Sequence, residues 1–464
     1  MTAAEFRIDE IEFSERPIVF RMPFRYGIVT LRKAPQSFVT VRVSDGAGRS
    51  ATGRAADMLA PKWFDKNPDL TNEENFDQLR VSQRIARDLY LAADGVHTPF
   101  GLHAMLDKPQ HEAAAAEGLN GLVGGFGNAT VDRAILDAVC RLHDVSFFDA
   151  VAANLMGLTG DVAAVVAPDM ADFDFPAFLK SLSPADRIAC RHTVGLTDHL
   201  TEVEIADRDR IGDGLPESLE ANVAAYGLRS FKVKVGGDTA ADIDRLTGIA
   251  AVLDRIDGDY VATLDGNEQY DSIEAFAEFF AHLSDAPALA RFRAAIKAIE
   301  QPIARAKALD VDLGEMGRTY GFEIDESDAD IGVFPAAKAL GYTGISSKSC
   351  KGAYRGLINA ARVARWNAEA DSGGRYFIAA EDLTTQPGIA VQQDLALATT
   401  LGCEDVERNG HQYGDGMGAA PAEERAAFAA DHADMYGIAG DRLNLKITDG
   451  EISLASLRRP GFGT

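Results

Sequence analysis

The sequence predicts an α/β protein, a (β/α)-barrel of modified TIM type joined to a smaller α+β capping domain. Two observations lead to this fold class. From about residue 187 onward, eight short β-rich runs alternate with alanine-rich helical stretches, the pattern of parallel βα units. Polar residues stand at the ends of nearly all eight runs, as in a closed barrel, whereas an open doubly wound sheet would collect them at one switch point.

Residues 1–159 are predicted to form most of the capping domain. Residues 18–30 and 37–44 are rich in β-branched and aromatic side chains, which predicts antiparallel strands. Apolar residues recur at helical spacing over 75–92 and again over 130–155, which predicts two helices. A small α+β unit follows from these elements.

The rest of the chain divides into three parts. Residues 160–186 contain three prolines and are predicted to be an irregular connection. Residues 187–430 form the predicted barrel. Residues 431–464 are expected to return to the capping domain, with a hairpin at 442–454. Within the capping domain, the glycine-rich stretch 124–128 is expected to be a turn. The eight β-rich runs are residues 188–196, 231–235, 260–267, 296–302, 322–327, 344–350, 375–383 and 404–411.

Composition narrows the classes of function. The chain has 464 residues, and 46% of them are hydrophobic, enough for a large buried core. A formal charge of -25 without any Lys/Arg-rich stretch disfavours binding to nucleic acid or to anionic lipid. No apolar run reaches the roughly 18 residues of a membrane span, and the start lacks a basic-then-apolar leader, which favours the cytoplasm. The four scattered cysteines fit reduced thiols.

Two lysines in the second run are candidate site residues. Lys232 and Lys234 are two positions apart on a predicted strand, so both side chains point to the same side. Two ammonium groups would be costly against an apolar helix layer, and the mouth of the barrel suits them better. A solvated edge strand is the alternative, so this pair alone does not assign a function.

Each of the next three runs brings a carboxylate near the end of a strand. Asp265, Glu300 and Asp325 would therefore meet at the carboxyl-terminal face of the barrel. One such carboxylate is often a helix N-cap, but three in successive strands need a shared cation to offset their repulsion. Oxygen ligands of this kind indicate Mg²⁺, with Mn²⁺ as the alternative.

The sixth run carries Lys348, and strands two and six of an eight-stranded barrel lie opposite each other. Lys234 and Lys348 would then flank a carboxylate substrate held at the metal. The α-proton of a carboxylate is very weakly acidic, so its removal needs a positioned base and stabilisation of the enolate by the cation. These residues predict metal-dependent α-proton abstraction by a pair of lysines.

The motifs Lys-Val-Lys, Asp-Gly-Asn, Ile-Glu-Gln-Pro and Asp-Glu-Ser, followed by a further lysine, occur in an order that resembles the enolase superfamily. The set is similar to its muconate lactonising enzyme-like and mandelate racemase-like branch, and the resemblance covers nearly the whole chain. It implies that Asp265, Glu300 and Asp325 are the metal ligands and that Lys234 and Lys348 are the acid/base pair.

The same resemblance implies roles for four further residues. Lys232 would bind the substrate carboxylate, and Glu381 would lie at the opposite wall of the site. Asn267 and Glu326 would be supporting polar groups around the metal and the lysine. Independently of the resemblance, Tyr26 of the capping domain is a candidate to shield the site from water, as is Trp63, or such residues simply pack the domain interface.

Several positions depart from the family pattern. Gly266 and Glu268 stand where the family commonly has Ala and Gln. The eighth run lacks the Asp-x-Asp of dipeptide epimerases, which disfavours a dipeptide substrate. Asn409 and His411 at the end of this run become candidates for substrate contact, although either, like His192, is equally explained as a satisfied polar residue.

The predicted function is therefore an enzyme, a racemase or epimerase of a small carboxylic acid, with a dehydratase or cycloisomerase as the alternative. Alternatives of other classes are a lysine Schiff-base aldolase and a non-catalytic binding protein on the same scaffold. The three carboxylates argue against the aldolase, and the intact set of reactive residues argues against the binding protein. The expected partner is a small-molecule carboxylate, and a homo-oligomer is the default assembly.

Overall fold

The computed structural model describes residues 3–26, 29–369 and 374–463. Its N-terminal part is a three-stranded antiparallel sheet covered by helices. The strands are β1 (Arg7–Tyr26), β2 (Val29–Ser44) and β3 (Ser50–Met58). The helices are α1 (Asn72–Ala92), α2 (Pro99–Ala116), α3 (Gly121–Leu142) and α4 (Phe147–Ala152). Val39, Val41 and Val43 alternate along β2 and are fully buried in the core of this part, as a strand with one covered face requires.

The third helix differs from its prediction. It begins at Gly121, capped by the side chain of Asn120, and not near residue 130. The glycine-rich stretch that was expected to be a turn is helical. Its glycines allow α3 to cross α1 at very short range. A Cβ atom on Gly127 would lie 2.2 Å from the carbonyl oxygen of Ser82, so only glycine fits at this crossing.

The connection carries two short helices, α5 (Gly160–Ala163) and α6 (Phe175–Ser181). Eight parallel strands follow and pair in chain order, and the last pairs with the first, so the sheet is a closed barrel. This confirms the predicted fold class, and each predicted β-rich run overlaps one strand. The strands are β4 (Arg187–Val194), β5 (Ser230–Lys234), β6 (Val261–Asp265), β7 (Ile296–Glu300), β8 (Phe322–Ile324), β9 (Gly344–Ser347), β10 (Phe377–Ala380) and β11 (Asp405–Arg408).

Helices surround the barrel and bury the apolar side of its strands. Phe231, Leu264 and Ile299 are examples of strand residues that are fully buried in this core. The surrounding helices are α7 (Leu219–Tyr226), α8 (Thr239–Leu253), α9 (Ile273–Asp285), α10 (Ala290–Ala295), α11 (Gly314–Thr319), α12 (Val333–Ala339), α13 (Ala353–Glu369) and α14 (Ile389–Thr400). Among the described residues, none of the helices has the length and apolarity to span a membrane.

The C-terminal segment does not contain the hairpin predicted at 442–454. Its elements are α15 (Gly410–Tyr413), α16 (Ala422–Asp431), β12 (Tyr436–Ala439), β13 (Arg442–Leu445) and β14 (Glu451–Ser453). β13 pairs with β12, whereas β14 pairs antiparallel with the first residues of β4. Because β5 begins opposite Arg191, the start of β4 offers a free edge, and pairing there buries Ile452 completely. Farther on, Phe462 stacks on Phe147.

Candidate active site

Polar side chains converge at the carboxyl-terminal ends of the barrel strands. Lys234, Asp265 and Glu300 are the last residues of β5, β6 and β7. Asp325 and Lys348 directly follow β8 and β9. All five side chains are buried, and four of them, all but Asp265, line one cavity. The strand ends therefore bring together residues that are far apart in the sequence, as expected for a barrel.

The two candidate acid/base lysines each contact a different aspartate. Lys234 Nζ donates to Asp265 Oδ2 at 2.6 Å, and Lys348 Nζ donates to Asp325 Oδ1 at 2.7 Å. β5 and β9 are four strands apart in the closed sheet, so the ammonium groups come from opposite walls. Burial acts to lower the pKa of Lys348, but the ion pair with Asp325 outweighs it and raises that pKa above its ordinary value.

Carboxylate oxygens form two compact groups in this region. The oxygens of Glu300, Asp325 and Glu326 lie within 4.8 Å of one another, and so do those of Glu300, Glu323 and Glu381. Burial, followed by the negative charge of Asp325, raises the pKa of Glu326 to about 7, and burial raises the pKa of Glu300 as well. The first group lines the cavity, and its buried, crowded carboxylates fit a hard divalent cation, which would offset their repulsion. In the second group, Lys232 already contacts Glu300 and Glu381.

Asp265, a predicted metal ligand, belongs to neither compact group among the described residues. Its carboxylate accepts hydrogen bonds from Lys234 and from the backbone N–H of Asn267, the latter at 2.7 Å, and lies 3.2 Å from Lys232 Nζ. Glu326, predicted as a supporting group, takes the third position of the oxygen set at the cavity. The ligand role of Asp265 stays a prediction.

Lys232 lies at the floor of the cavity and is surrounded by carboxylates. Its ammonium contacts Glu300 at 2.6 Å, Asp265 at 3.2 Å and Glu407 at 3.1 Å, and it also contacts Glu381. Burial opposes the charge, but these carboxylates raise the pKa of Lys232 well above its ordinary value. Lys232 is thus a permanent cation that offsets the acidic floor, and its predicted contact with a substrate carboxylate stays a prediction.

The other predicted contact residues fall into two sets. Asn267 and Asn409 line the cavity, and their side-chain oxygens have no hydrogen-bond partner among the described residues. Glu381 lies beneath the cavity and does not line it, because Lys232 and Arg191 both bind its carboxylate there. The side chain of Tyr26 lies outside the described residues.

His411 is not at the cavity, in contrast to its predicted contact with substrate. Its Nε2 lies 2.9 Å from Nδ1 of His192, and neither ring lines the cavity. Tyr226 of α7 packs edge-on against His411. The two histidines therefore pair with each other away from the cavity, although Nδ1 of His411 has no hydrogen-bond partner among the described residues.

The capping part closes the cavity with apolar side chains. Phe24, Met58 and Trp63 line it from this side, and the ring of Trp63 lies 5.1 Å from Lys348 Nζ. Arg305 holds this segment by donating to the backbone oxygen of Trp63 at 2.9 Å. Arg305 also pairs with Glu268, one of the positions that depart from the family pattern, so that departure ties the two parts together.

The sequence interpretation missed several charged residues of the site, among them Lys351 and Glu407, and also Lys62, Lys66 and Asp382 of the cavity lining. Lys351 donates to the backbone oxygen of Asp325 at 2.8 Å and to Ser346 Oγ at 2.7 Å. Glu407 is buried and lines the cavity on β11. Glu407 carries a signal that was available, because it stands two positions after Asp405 on a predicted strand. Lys351 is the last residue of a short 3₁₀ turn, Ser349–Lys351, whose geometry no sequence pattern indicated.

No protein-family model matches the sequence, and no curated protein matches it either. The fold, however, is similar to solved structures over nearly the whole chain. A mandelate racemase/muconate lactonizing protein from Herpetosiphon aurantiacus is 19% identical, with a TM-score of 0.60 over 98% of both chains. The L-Ala-D/L-Glu epimerase from Bacillus subtilis is 14% identical, with a TM-score of 0.57 over 98% of both chains.

A third similar structure is the 2-chloromuconate cycloisomerase from Rhodococcus opacus, which is 16% identical. Its TM-score is 0.57 over 99% of this chain and 96% of that chain. At these identities the likeness establishes architecture and not the reaction. The closed eight-stranded barrel with its N-terminal antiparallel cap is the fold of the enolase superfamily and of its mandelate racemase/muconate lactonizing branch.

Proposed function

We propose that this protein is an enzyme that removes the α-proton of a small carboxylate substrate with the help of Mg²⁺, as a racemase or epimerase. One observation carries the proposal. Lys234 and Lys348 approach the same cavity from opposite walls of the barrel, beside a compact set of carboxylate oxygens. A planar centre bound between two such groups exposes one face to each of them.

Glu300, Asp325 and Glu326 offer a compact oxygen set for the cation at the cavity, and Asp265 lies nearby, bound to Lys234. Mn²⁺ is the alternative ion for the same ligands. When bound there, the divalent cation supplies electrostatic stabilisation of the negative charge that develops on the substrate carboxylate. The chain contributes the charge of Lys232, which stays protonated beneath these oxygens.

The lysines move the proton. In a racemase, one lysine takes the α-proton while the other returns a proton to the opposite face, which inverts the centre. Lys348 has to leave Asp325 before it can act as a base, because that ion pair favours its ammonium form. Trp63 and Met58 exclude water above the lysines.

A dehydratase or cycloisomerase is the second candidate, and one observation favours it. Lys348 is held as an ammonium ion by Asp325. Lys234 is paired with Asp265 in the same way, so this observation favours a dehydratase or cycloisomerase only if Lys348 stays bound to Asp325 with substrate present and neither takes nor returns a proton. A racemase would then be excluded, because inversion requires proton transfer at both faces.

The direct test is exchange of the substrate α-proton with solvent deuterium. Acid sugars, amino acid derivatives and hydroxy acids are each incubated with the protein and Mg²⁺ in D₂O, and the α-proton signal is followed by NMR. Exchange is expected with at least one acid, is expected to stop with EDTA, and is expected to return with added Mg²⁺. Exchange that persists in EDTA would contradict the proposal.

Borohydride trapping separates this chemistry from a lysine Schiff-base aldolase. Proton abstraction by a free amine forms no imine, so no covalent adduct is expected after reduction. Lys108→Ala is a suitable control for both assays, because Lys108 is exposed on α2 and does not line the cavity. A substrate-dependent increase in mass after borohydride would favour the aldolase.

A further inference from the structure

A second cavity of about 480 Å³ lies at the amino-terminal end of the barrel, on the side away from the candidate active site. Its barrel lining includes Thr263, Ala298, Glu323, Ala379 and Asp405. None of these residues lines the upper cavity. The proposed α-proton chemistry makes no use of this space.

The geometry of two strands explains why the space exists. β10 and β11 share only one registered pair, Ala380 with Val406, whereas β9 and β10 share four. The two strands therefore diverge toward their amino-terminal ends, where the Cys403 thiol lies 3.6 Å from the Ile378 carbonyl oxygen. Alanines at 298 and 379 leave the lumen beside this seam unfilled.

The inner end of the cavity holds an unmatched carboxyl group. Glu323 is fully buried, and neither of its oxygens has a hydrogen-bond partner among the described residues. The hydroxyl of Thr263, which lines the same cavity, has no partner either. Buried polar groups are nearly always hydrogen-bonded, so these atoms indicate a missing donor.

The nearby cations do not satisfy this carboxyl group. Arg191 binds Glu381 and Asp405, and Lys297 also binds Asp405. Lys232 contacts Glu381 and Glu300 on the side of the upper cavity. Arg191 and Lys297 line the cavity too, and Arg191 Nε has no hydrogen-bond partner among the described residues, but the ion pairs of both cations go to Glu381 and Asp405. Glu323 is left without a cation of its own.

The outer wall of the cavity is apolar. It offers contact to a short hydrocarbon chain, and a buried acidic group at the end of such a wall is complementary to a cationic head with an aliphatic tail. The wall residues are Phe178, Leu182, Val363, Tyr376, Ile378 and Leu401.

We propose that this lower cavity binds a small primary alkylammonium ion. Its three N–H donors match the two oxygens of Glu323 and the hydroxyl of Thr263, and its alkyl part packs on the apolar wall. The formal charge of -25 on the chain attracts cations to it.

Calorimetric titration with butylammonium tests this site, with butanol and butyrate as isosteric controls of the head group. Butylammonium is expected to bind at one site, and both controls about tenfold or more weakly, because they lack the charged donor. Excess Mg²⁺ is expected to leave the binding intact. Loss of binding in Mg²⁺, or equal binding of butanol, would overturn the assignment.

Two variants and one crystal soak locate the site. Glu323→Gln replaces the carboxyl group by an amide and is expected to weaken binding about tenfold, and Ala379→Leu fills the space with the carboxyl group kept and is expected to abolish binding. Glu112→Gln, at an exposed position, is expected to change nothing. Soaking the unaltered protein with bromopropylammonium should give anomalous density beside Glu323, and density elsewhere would refute the proposal even if both variants failed to fold.

Discussion

Each candidate acid/base lysine is bound to its own aspartate, and this separation has a consequence for stereochemistry. Lys234 pairs with Asp265 and Lys348 with Asp325, on opposite walls of the barrel. A substrate between them would present one face to each ammonium group. The two lysines are therefore expected to serve different enantiomers.

Lys348→Ala is expected to lower racemisation by about 10²–10⁴-fold while α-proton exchange continues with one enantiomer, through Lys234. Lys234→Ala is expected to leave exchange with the other enantiomer only. Proton NMR in D₂O on each pure enantiomer measures this. Wild-type exchange of both enantiomers in either variant would show that the two-base assignment is wrong.

Glu300 belongs to both compact carboxylate groups, so it is the most informative single position for the cation. Mg²⁺ at about 100 times its Kd is expected to stabilise the wild-type protein by about 2.7 kcal/mol, because it binds the folded state only. Glu300→Gln is expected to remove most of this gain, measured by denaturant unfolding with and without Mg²⁺. Glu112→Gln should retain it, and a wild-type protein insensitive to Mg²⁺ would contradict the metal site.

Among the elements, the turn after β6 depends on very close packing against the segment after β7. A Cβ atom on Gly266 would lie 2.6 Å from Cα of Pro302, which is backbone and cannot rotate away. This contact explains why glycine stands at this position. The same turn carries Asn267, which lines the cavity, and Glu268, which binds Arg305.

Gly266→Ala is expected to lower the free energy of unfolding by about 1–3 kcal/mol, because the added methyl group forces a backbone shift. Urea denaturation measures the change. Gly46→Ala is the matched control, since a Cβ atom there meets no atom within 4 Å, and its effect should stay within about 0.5 kcal/mol. Equal effects of the two substitutions would rule out the packing explanation.

For the molecule as a whole, the buried pair His192 and His411 makes stability depend on pH. Burial lowers the pKa of His192 to about 3, and burial with the neighbouring His192 lowers the pKa of His411 well below its usual value. Unfolded histidine titrates near 6.5, so below that pH the unfolded state binds more protons than the folded state. This contribution to stability is complete above 6.5 and is lost as the pH falls toward 3.

The free energy of unfolding is therefore expected to fall by up to about 1.4 kcal/mol per pH unit for each histidine within this window. His411→Gln removes one titrating group and should make the fall shallower. Urea denaturation at several pH values measures the free energy of unfolding of both proteins. Because the carboxylates titrate in both, the difference between wild type and variant gives the contribution of His411. Identical slopes in the two proteins would contradict the assignment.

Local sequence patterns were sufficient for much of the architecture. The eight strands could be predicted because each is a short β-rich run bounded by helical stretches, and polar residues at their ends indicated a closed barrel. Element ends were less predictable, as α3 shows, because its glycines serve a crossing with α1 that is invisible along the chain. The prediction of a hairpin at 442–454 was wrong for the same reason, because β14 pairs with β4, which is distant along the chain.

For the site, the sequence by itself determined which residues stand at the strand ends, Lys234, Asp265, Glu300, Asp325 and Lys348, because strand period and βα spacing are local properties. Only the tertiary structure decided which atoms meet. In the folded chain, Asp265 contacts the lysines, Glu326 lies among the cavity oxygens, and His411 pairs with His192 away from the cavity. Side-chain direction and burial depend on neighbours from distant segments, and the charges there settle into pairs only when those segments are packed together.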